Sequence, residues 1–355
     1  MKFYRALQLN PNDLKAEIRR ASGKKERRFL QLAMLVRAIL IVIFSIVMIA
    51  PIAPLFGPEN NAVGVVLICI VLSIRFVDFG YCFKDSLINL GAVFFLLWAA
   101  PCFAAAVPPA AAALLHFAAL FLMFLMTSEQ PEMGNGGLYA FSYIFLCGNP
   151  VSGALFFSRG VLLFAGYLLC AGILFAKHRK KHSGVRFLSL IRNFQLSDRK
   201  CQWQLQFALG VSLLMALGSF FQLERMMWAG FACASLLGCY SSTTDVTAET
   251  KERFDQRIIG AVVGSILFAA VYEILPPSLH SLFGPVGGIC LGFCTDYRYK
   301  TALNCFGALM LAAGLYGLHG SVLLRIANNL VGAAFGYGFF VLYQKIVERR
   351  FAGNS

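Results

Sequence analysis

Apolar runs separated by prolines and short polar stretches set the pattern of this chain. Each run reads as a helix, and about twelve follow one another. Span 1 runs from Phe29 to Ile49 and ends at Pro51 and Pro54, and span 2 is short, Ala62 to Ile74. Span 3 covers Leu87 to Val107 and is broken by Pro108 and Pro109, span 4 covers Ala110 to Met126, span 5 Leu138 to Cys147, and span 6 Ser158 to Ala176. A polar stretch from Lys177 to Lys200 intervenes. Span 7 is Trp203 to Phe221, span 8 is short again at Trp228 to Tyr240, and span 9 runs from Arg257 to Leu275 before Pro276 and Pro277. Spans 10, 11 and 12 are Leu279 to Cys294, Ala302 to Leu318 and Leu323 to Tyr343. Before them, residues 10–21 read either as a short helix lying on the inner membrane surface, with Pro11 in its first turn and Leu14, Ile18 and Ala21 on one face, or as a solvated tail.

Composition narrows the class. Of 355 residues, 59% are apolar and only 14% charged, with a mean hydropathy of +0.70. Soluble domains run at about 45–50% apolar and about 25% charged. The chain is therefore expected to be an all-α, polytopic membrane protein. About twelve helices of roughly 20 residues use about 240 residues and leave little for a soluble domain.

The net charge of +14 does not indicate a nucleic-acid binder, because the cations are gathered in blocks. Residues 1–28 hold nine Lys/Arg, residues 177–200 hold eight and residues 345–350 hold three. Such blocks stay on the cytoplasmic side, which requires an even number of crossings between them, and six plus six satisfies it. The shorter loops agree: Arg75, Lys84, Lys251, Arg253, Arg298 and Lys300 fall inside, and only Arg225 falls outside. Residues 1–28 lack the short apolar region of a signal peptide.

The halves read as copies. Arg159 precedes Gly166 by seven residues as Arg325 precedes Gly332, and Gly91-Ala92-Val93 recurs as Gly260-Ala261-Val262. Lys84 corresponds to Arg253 at the same offset of 169. This spacing predicts a tandem duplication. With an even number of spans in each, the copies are parallel about an axis along the membrane normal. The expected organisation is a basic N-terminal segment (1–28), a first six-helix repeat (29–176), a basic linker (177–202), a second six-helix repeat (203–345) and a tail (346–355).

No enzymatic motif is present: there is no GxSxG, HExxH or P-loop. Eleven cysteines are scattered without a CxxC pair, and the histidines at 116, 178, 182, 280 and 319 are dispersed, so neither a metal nor a cofactor is expected. Glycine pairs at 260/264, 284/288 and 332/336 predict close helix packing. Cations inside apolar spans carry more information, since placing them in lipid costs several kcal/mol. Arg37 can reach back to the inner face, but Arg159 and Arg325 sit at equivalent positions near the outer ends of spans 6 and 12, where cations are scarce. A guanidinium there can grip a carboxylate bidentately or anchor to outer headgroups. The paired short spans 2 and 8 point to a transport site as well, with plain cytoplasmic loops at their exits as the alternative. Span 2 runs into Arg75 and Asp78, and span 8 into Thr244 and Asp245. The candidate substrate-binding set is Arg159, Arg325, Arg75, Arg257, Thr244 and Asp245.

The Arg-bearing first span after a basic N-terminus, the short eighth span with its Ser/Thr-rich exit, the run from Arg257 to Gly264 in the form Arg-x-x-Gly-small-x-x-Gly, and the arginines of spans 6 and 12 together resemble the fusaric acid resistance, or aromatic acid exporter, superfamily. The first half departs from that pattern, with Ile88 at the place of Arg257 and Phe95 at that of Gly264. The resemblance implies a duplicated six-helix module and efflux of aromatic acids. The related plant aluminium-activated malate transporters imply an anion pore between the two halves. The expected function is export of organic anions, with aromatic carboxylates as the favoured class, across a bacterial inner membrane with both termini cytoplasmic. A non-transporting membrane scaffold is the alternative. Expected partners are membrane lipid, a small organic anion, and a periplasmic adaptor or further copies of the chain; nucleic acid is excluded. Reporter fusions at Ser183 and Ser355 should both give cytoplasmic signals, and an external signal at either would overturn the six-plus-six arrangement.

Overall fold

The computed structural model describes residues 3–241 and 245–351. All of its regular structure is helical among those residues: α1 (Phe3–Gln8), α2 (Pro11–Arg20), α3 (Lys24–Ile49), α4 (Ile52–Phe56), α5 (Asn61–Ile74), α6 (Phe83–Ala105), α7 (Pro109–Thr127), α8 (Asn135–Cys147), α9 (Ala154–His178), α10 (Phe187–Arg192), α11 (Arg199–Phe220), α12 (Met227–Leu237), α13 (Val246–Ile274), α14 (Phe283–Phe293) and α15 (Tyr297–Phe351). Seven helices among the described residues are long and apolar enough to cross a membrane, and α12 and the stretch Pro58–Ile74 are shorter apolar helices. Each apolar run seen in the sequence is helical, and the chain is a multi-pass membrane protein.

Local chemistry sets the boundaries. Pro11 opens α2, where Asn10 caps by accepting from the Asp13 N–H at 2.9 Å. Pro109 opens α7 after the extended Pro108. The long α15 is two helices meeting at Gly317, whose φ of +68° and ψ of 172° suit only a residue without a Cβ.

The chain divides into two compact units, one made of residues 1–47 and 253–329 and the other of residues 48–252 and 330–355. In the first, α1 and α2 bury Ala6 and Leu14 against Leu30 and Ala33 of α3, with Phe3 set edge-on to Phe29 at 5.5 Å. The apolar face of α2 is thus spent on protein contact. Lys15 donates to the Thr295 hydroxyl at 3.3 Å, tying α2 to the turn after α14. α14 lies on α3 because Gly292 and Gly288 let Ala38 and Val42 approach. α13 meets the first part of α15 at Gly260 and Gly264, where the facing atoms include backbone of Arg298 and Ala302.

In the second unit α11 lies along α7, α12 against α8, and α6 against α7 and α9. Phe207 of α11 stacks on Phe124 of α7 with ring centroids 4.5 Å apart and planes 26° apart. The last part of α15 closes on α12, with Gly332 over the Ala229 backbone and Gly336 over Cys233. The linker after α9 folds back on the turn between α5 and α6: the Cys82 N–H donates to the Val185 carbonyl at 2.8 Å, and Arg186 pairs with Asp85 at 3.0 Å.

Because a Cβ at Gly264 or Gly332 meets backbone rather than a movable side chain, Gly264→Ala and Gly332→Ala should each lower stability by about 1–3 kcal/mol. Gly338, which faces open space, should tolerate Ala or gain up to about 1 kcal/mol of helix propensity. Thermal unfolding in detergent of the three variants checks the order.

Candidate functional site

Polar groups enter the helices of the second unit at a few places. Arg159 of α9 is fully buried. Its Nε donates to Asn60 Oδ1 at 2.9 Å and its Nη2 to the Glu59 carbonyl at 3.2 Å. Its Nη1 has no hydrogen-bond partner among the described residues, and the Cys102 and Cys147 thiols lie beside it. Asn60 is held in turn by the carbonyls of Phe56 and Leu155. The arginine therefore pins α9 to the turn that starts α5, using neutral oxygens only. None of the ion pairs among the described residues includes it.

Next to this group a cavity of about 150 Å³ opens between α6, α7, α8, α11 and the start of α12. Pro101, His116, Cys147, Met215, Met226 and Met227 line it. His116 Nδ1 is 2.8 Å from the Tyr143 hydroxyl, so one imidazole nitrogen is engaged inside the bundle. Cys147 links the cavity wall to the surroundings of Arg159. In terms of the predicted repeats, α6, α7 and α8 belong to the first and α11 and α12 to the second.

A second cavity, of about 210 Å³, lies between the end of α7, the start of α11 and the α10 segment of the linker. It is bordered by Glu129, Phe194, Asp198, Lys200 and Gln204. Lys200 Nζ donates to both Glu129 carboxylate oxygens at 2.9 Å. Gln204 donates to the Phe124 and Ser128 carbonyls at 3.2 Å, while its Oε1 is buried without a partner among the described residues.

In the first unit Arg257 and Arg325 come together. Arg257 Nε donates to Asn329 Oδ1 at 3.0 Å and Nη1 to the Tyr297 hydroxyl at 3.2 Å. Asn329 Nδ2 donates to the Arg325 carbonyl at 2.8 Å. Both guanidiniums are buried and close enough to repel. The sequence pairs Arg325 with Arg159 by repeat position; within its own unit the neighbouring cation of Arg325 is Arg257. Asn329 thus ties the Arg257 guanidinium to the backbone of Arg325, one helical turn earlier on α15.

The remaining predicted residues are dispersed. Arg75 ends α5 with its guanidinium 5.3 Å from the Phe76 ring. Asp245 is exposed and accepts from the Thr247 N–H at 2.8 Å, which makes it the cap that starts α13. Thr244 lies outside the described residues. Asn60, Asn329 and Tyr297, which hold the arginines, carry no sequence signal of their own. The methionines at 215, 226 and 227 could be found only by pairing spans 7 and 8 with spans 3 to 5.

Beyond the helices, Asp78 gathers basic side chains. Its carboxylate is 3.1 Å from Lys181, 3.2 Å from His182 and 3.6 Å from His178, and it accepts from the Gly80 N–H at 2.9 Å. Partial burial pushes its pKa up, but the Gly80 N–H, the Lys181 ammonium and His182 outweigh that and hold it below its ordinary value. This contact is fully formed above the ordinary carboxylate range and is lost as pH falls through the lowered value. Asp78→Asn should release the linker and speed tryptic cleavage at Lys180 and Lys181 roughly tenfold, for a loss of about 1.5 kcal/mol of charge-assisted bonding. Limited proteolysis of the purified protein checks it.

Residues 213–339 match the family model described as fusaric acid resistance protein-like, which supports the resemblance carried by the sequence. That family suggests a membrane transporter or exporter. The matched stretch contains Met215, Met226 and Met227 of the first cavity and both Arg257 and Arg325. No curated protein and no solved structure matches the chain.

Proposed function

We propose that this protein exports organic anions, with aromatic carboxylates as the favoured class, through a path between two parallel six-helix repeats. The observation that carries this reading is Arg159: a fully buried cation held by neutral groups, with no oxygen on its Nη1 among the described residues. Burying a charge costs several kcal/mol unless an opposite charge joins it. A transient carboxylate is the natural partner, since a guanidinium binds it through directed N–H donors. Burial also speaks against contact with outer headgroups. The adjoining cavity of about 150 Å³ is the size that admits one benzene-sized ring, and methionine sulfur makes favourable contacts with such rings.

The repeat reading has support from packing inside each unit. α11 begins the proposed second repeat and lies on α7, the fourth span of the first. α3 begins the first repeat and lies on α14, which occupies the fourth place in the second. Each leading helix thus docks at the corresponding place in the other copy. The proposed boundaries are 29–176 and 203–345, with both termini and the linker in the cytoplasm of a bacterium and the helices in its inner membrane. The basic blocks support that orientation. Efflux then needs no nucleotide: an inside-negative potential of ~150 mV gives a monoanion roughly 3.5 kcal/mol outward, enough for a gradient of about 300-fold.

Arg159→Ala should cut benzoate flux from proteoliposomes roughly tenfold or more, equivalent to at least about 1.4 kcal/mol of lost anion binding. Arg159→Lys should recover part of it. Asn60→Asp is the sharper variant, because it keeps the shape of the turn yet hands Arg159 a permanent carboxylate. It should fold and still lose flux. Wild-type flux in an Asn60→Asp protein would remove Arg159 from the anion path, and wild-type liposomes that pass no benzoate would overturn the transport reading itself.

A further inference from the structure

The two cavities of the second unit lie on one helix pair, and what separates them is specific. α7 and α11 run antiparallel, so His116 near the start of α7 and Met215 towards the end of α11 border the first cavity. Leu125 near the end of α7 and Gln204 near the start of α11 border the second. Along α7 the step from His116 to Leu125 is about 14 Å at 1.5 Å per residue. That is about half the hydrocarbon thickness of a bilayer. Between the two cavities along the helices lie Leu120, Met123 and Phe124 of α7 and Phe207, Ala208 and Val211 of α11, all essentially inaccessible. Phe124 and Phe207 are stacked across the helix pair at 4.5 Å, with Trp203 6.2 Å from Phe124 and 5.6 Å from Phe207.

Both chambers have polar borders and the plug has none. At one end His116, Cys147 and Ser219 face the cavity, and at the other Glu129, Lys200 and Gln204 do. Gln204 is anchored on the carbonyl of Phe124 itself, so a change at the Lys200 end bears directly on the backbone of the plug residue. Stacked rings are also suited to parting: two χ1 rotations open a passage without breaking a backbone hydrogen bond, and an aromatic ring in transit can take the place of the stacking partner.

We propose that the seam between α7 and α11 is the solute path and that Phe124 and Phe207 are its gate, holding apart a vestibule at each end. This rests on the transport reading above and adds the route, the gate residues and a size limit. The Met-lined vestibule accepts a single-ring anion and excludes fused rings.

The test uses the full chain in liposomes, with benzoate and 1-naphthoate as probes. Phe207→Ala and Phe124→Ala should raise benzoate flux about tenfold, which corresponds to 1.4 kcal/mol off the opening barrier, and should admit 1-naphthoate. Phe207→Leu, which keeps most of the volume, should restore slow, single-ring flux. A second measurement needs no transport. Cys147 borders the Met-lined vestibule, so a membrane-impermeant maleimide should modify it from one side of the membrane only, as read by mass spectrometry of the Cys147 peptide. In Phe207→Ala it should become modifiable from both sides. Folded alanine variants with wild-type flux and unchanged selectivity would overturn the gate. So would Cys147 modification that is two-sided in the parent protein or still one-sided in a folded Phe207→Ala. If the alanine variants do not fold, Phe207→Leu and Phe124→Leu decide by the same labelling, with wild-type one-sidedness expected and two-sidedness contrary to the proposal. Absence of any benzoate flux in the parent protein would fall on the transport reading, and the labelling would still judge the gate.

Discussion

A cation inside an apolar bundle has to take its hydrogen bonds from other helices, because hydrocarbon offers none. That requirement organises both units. Arg159 draws the turn before α5 onto α9 through Asn60 and the Glu59 carbonyl. Arg257 draws α13 onto α15 through Asn329 and Tyr297. In each case the partner is a neutral amide, carbonyl or hydroxyl, so the positive charge is positioned without being cancelled. A carboxylate at Asn60 or Asn329 would make a tighter structural tie and would end the attraction for a passing anion.

The close-packed seam is the complementary element. Leu120, Phe124, Phe207 and Val211 supply apolar contact of the kind that holds any helix pair, yet polar groups resume immediately at either end. A helix pair that served only for cohesion would continue its apolar stripe to the helix ends. Ion pairs add to this at the Lys200 end, with Lys200 on Glu129, while the linker is fastened to Asp78 and Asp85.

Much of this fold can be read along the chain because membrane helices announce themselves by length and by their prolines. Pro11 stands in the first turn of α2 as read, Pro109 and Pro277, read as stops for the preceding spans, also open the next helical segment, and each apolar run is a helix. Arg159, Arg257 and Arg325 are legible too, since a cation among apolar neighbours needs a reason. What a linear pattern does not carry is which distant helices meet. Phe124 and Phe207 look like any other phenylalanines in apolar runs, and their stacking depends on α11 choosing α7. Asn60 becomes meaningful only once α9 folds back to it. Asp245 shows the reverse case, a carboxylate whose position after a short span suggests chemistry and whose observed contact is a helix cap.

The partner of α3 has a consequence for biogenesis. α11 meets α7 after the ribosome has added fewer than a hundred residues, but the glycine that receives Ala38 is Gly292, about 250 residues further on. At roughly 5–20 residues per second, α3 waits about 10–50 s for its neighbour. Throughout that delay the side of α3 that will receive α14 waits for it, while α1 and α2 cover its first turns. The membrane insertion machinery therefore handles a leading helix whose α14-facing side stays unfilled while nearly the whole chain is made. Late mutations in α14 should thus burden quality control through a segment synthesised long before them.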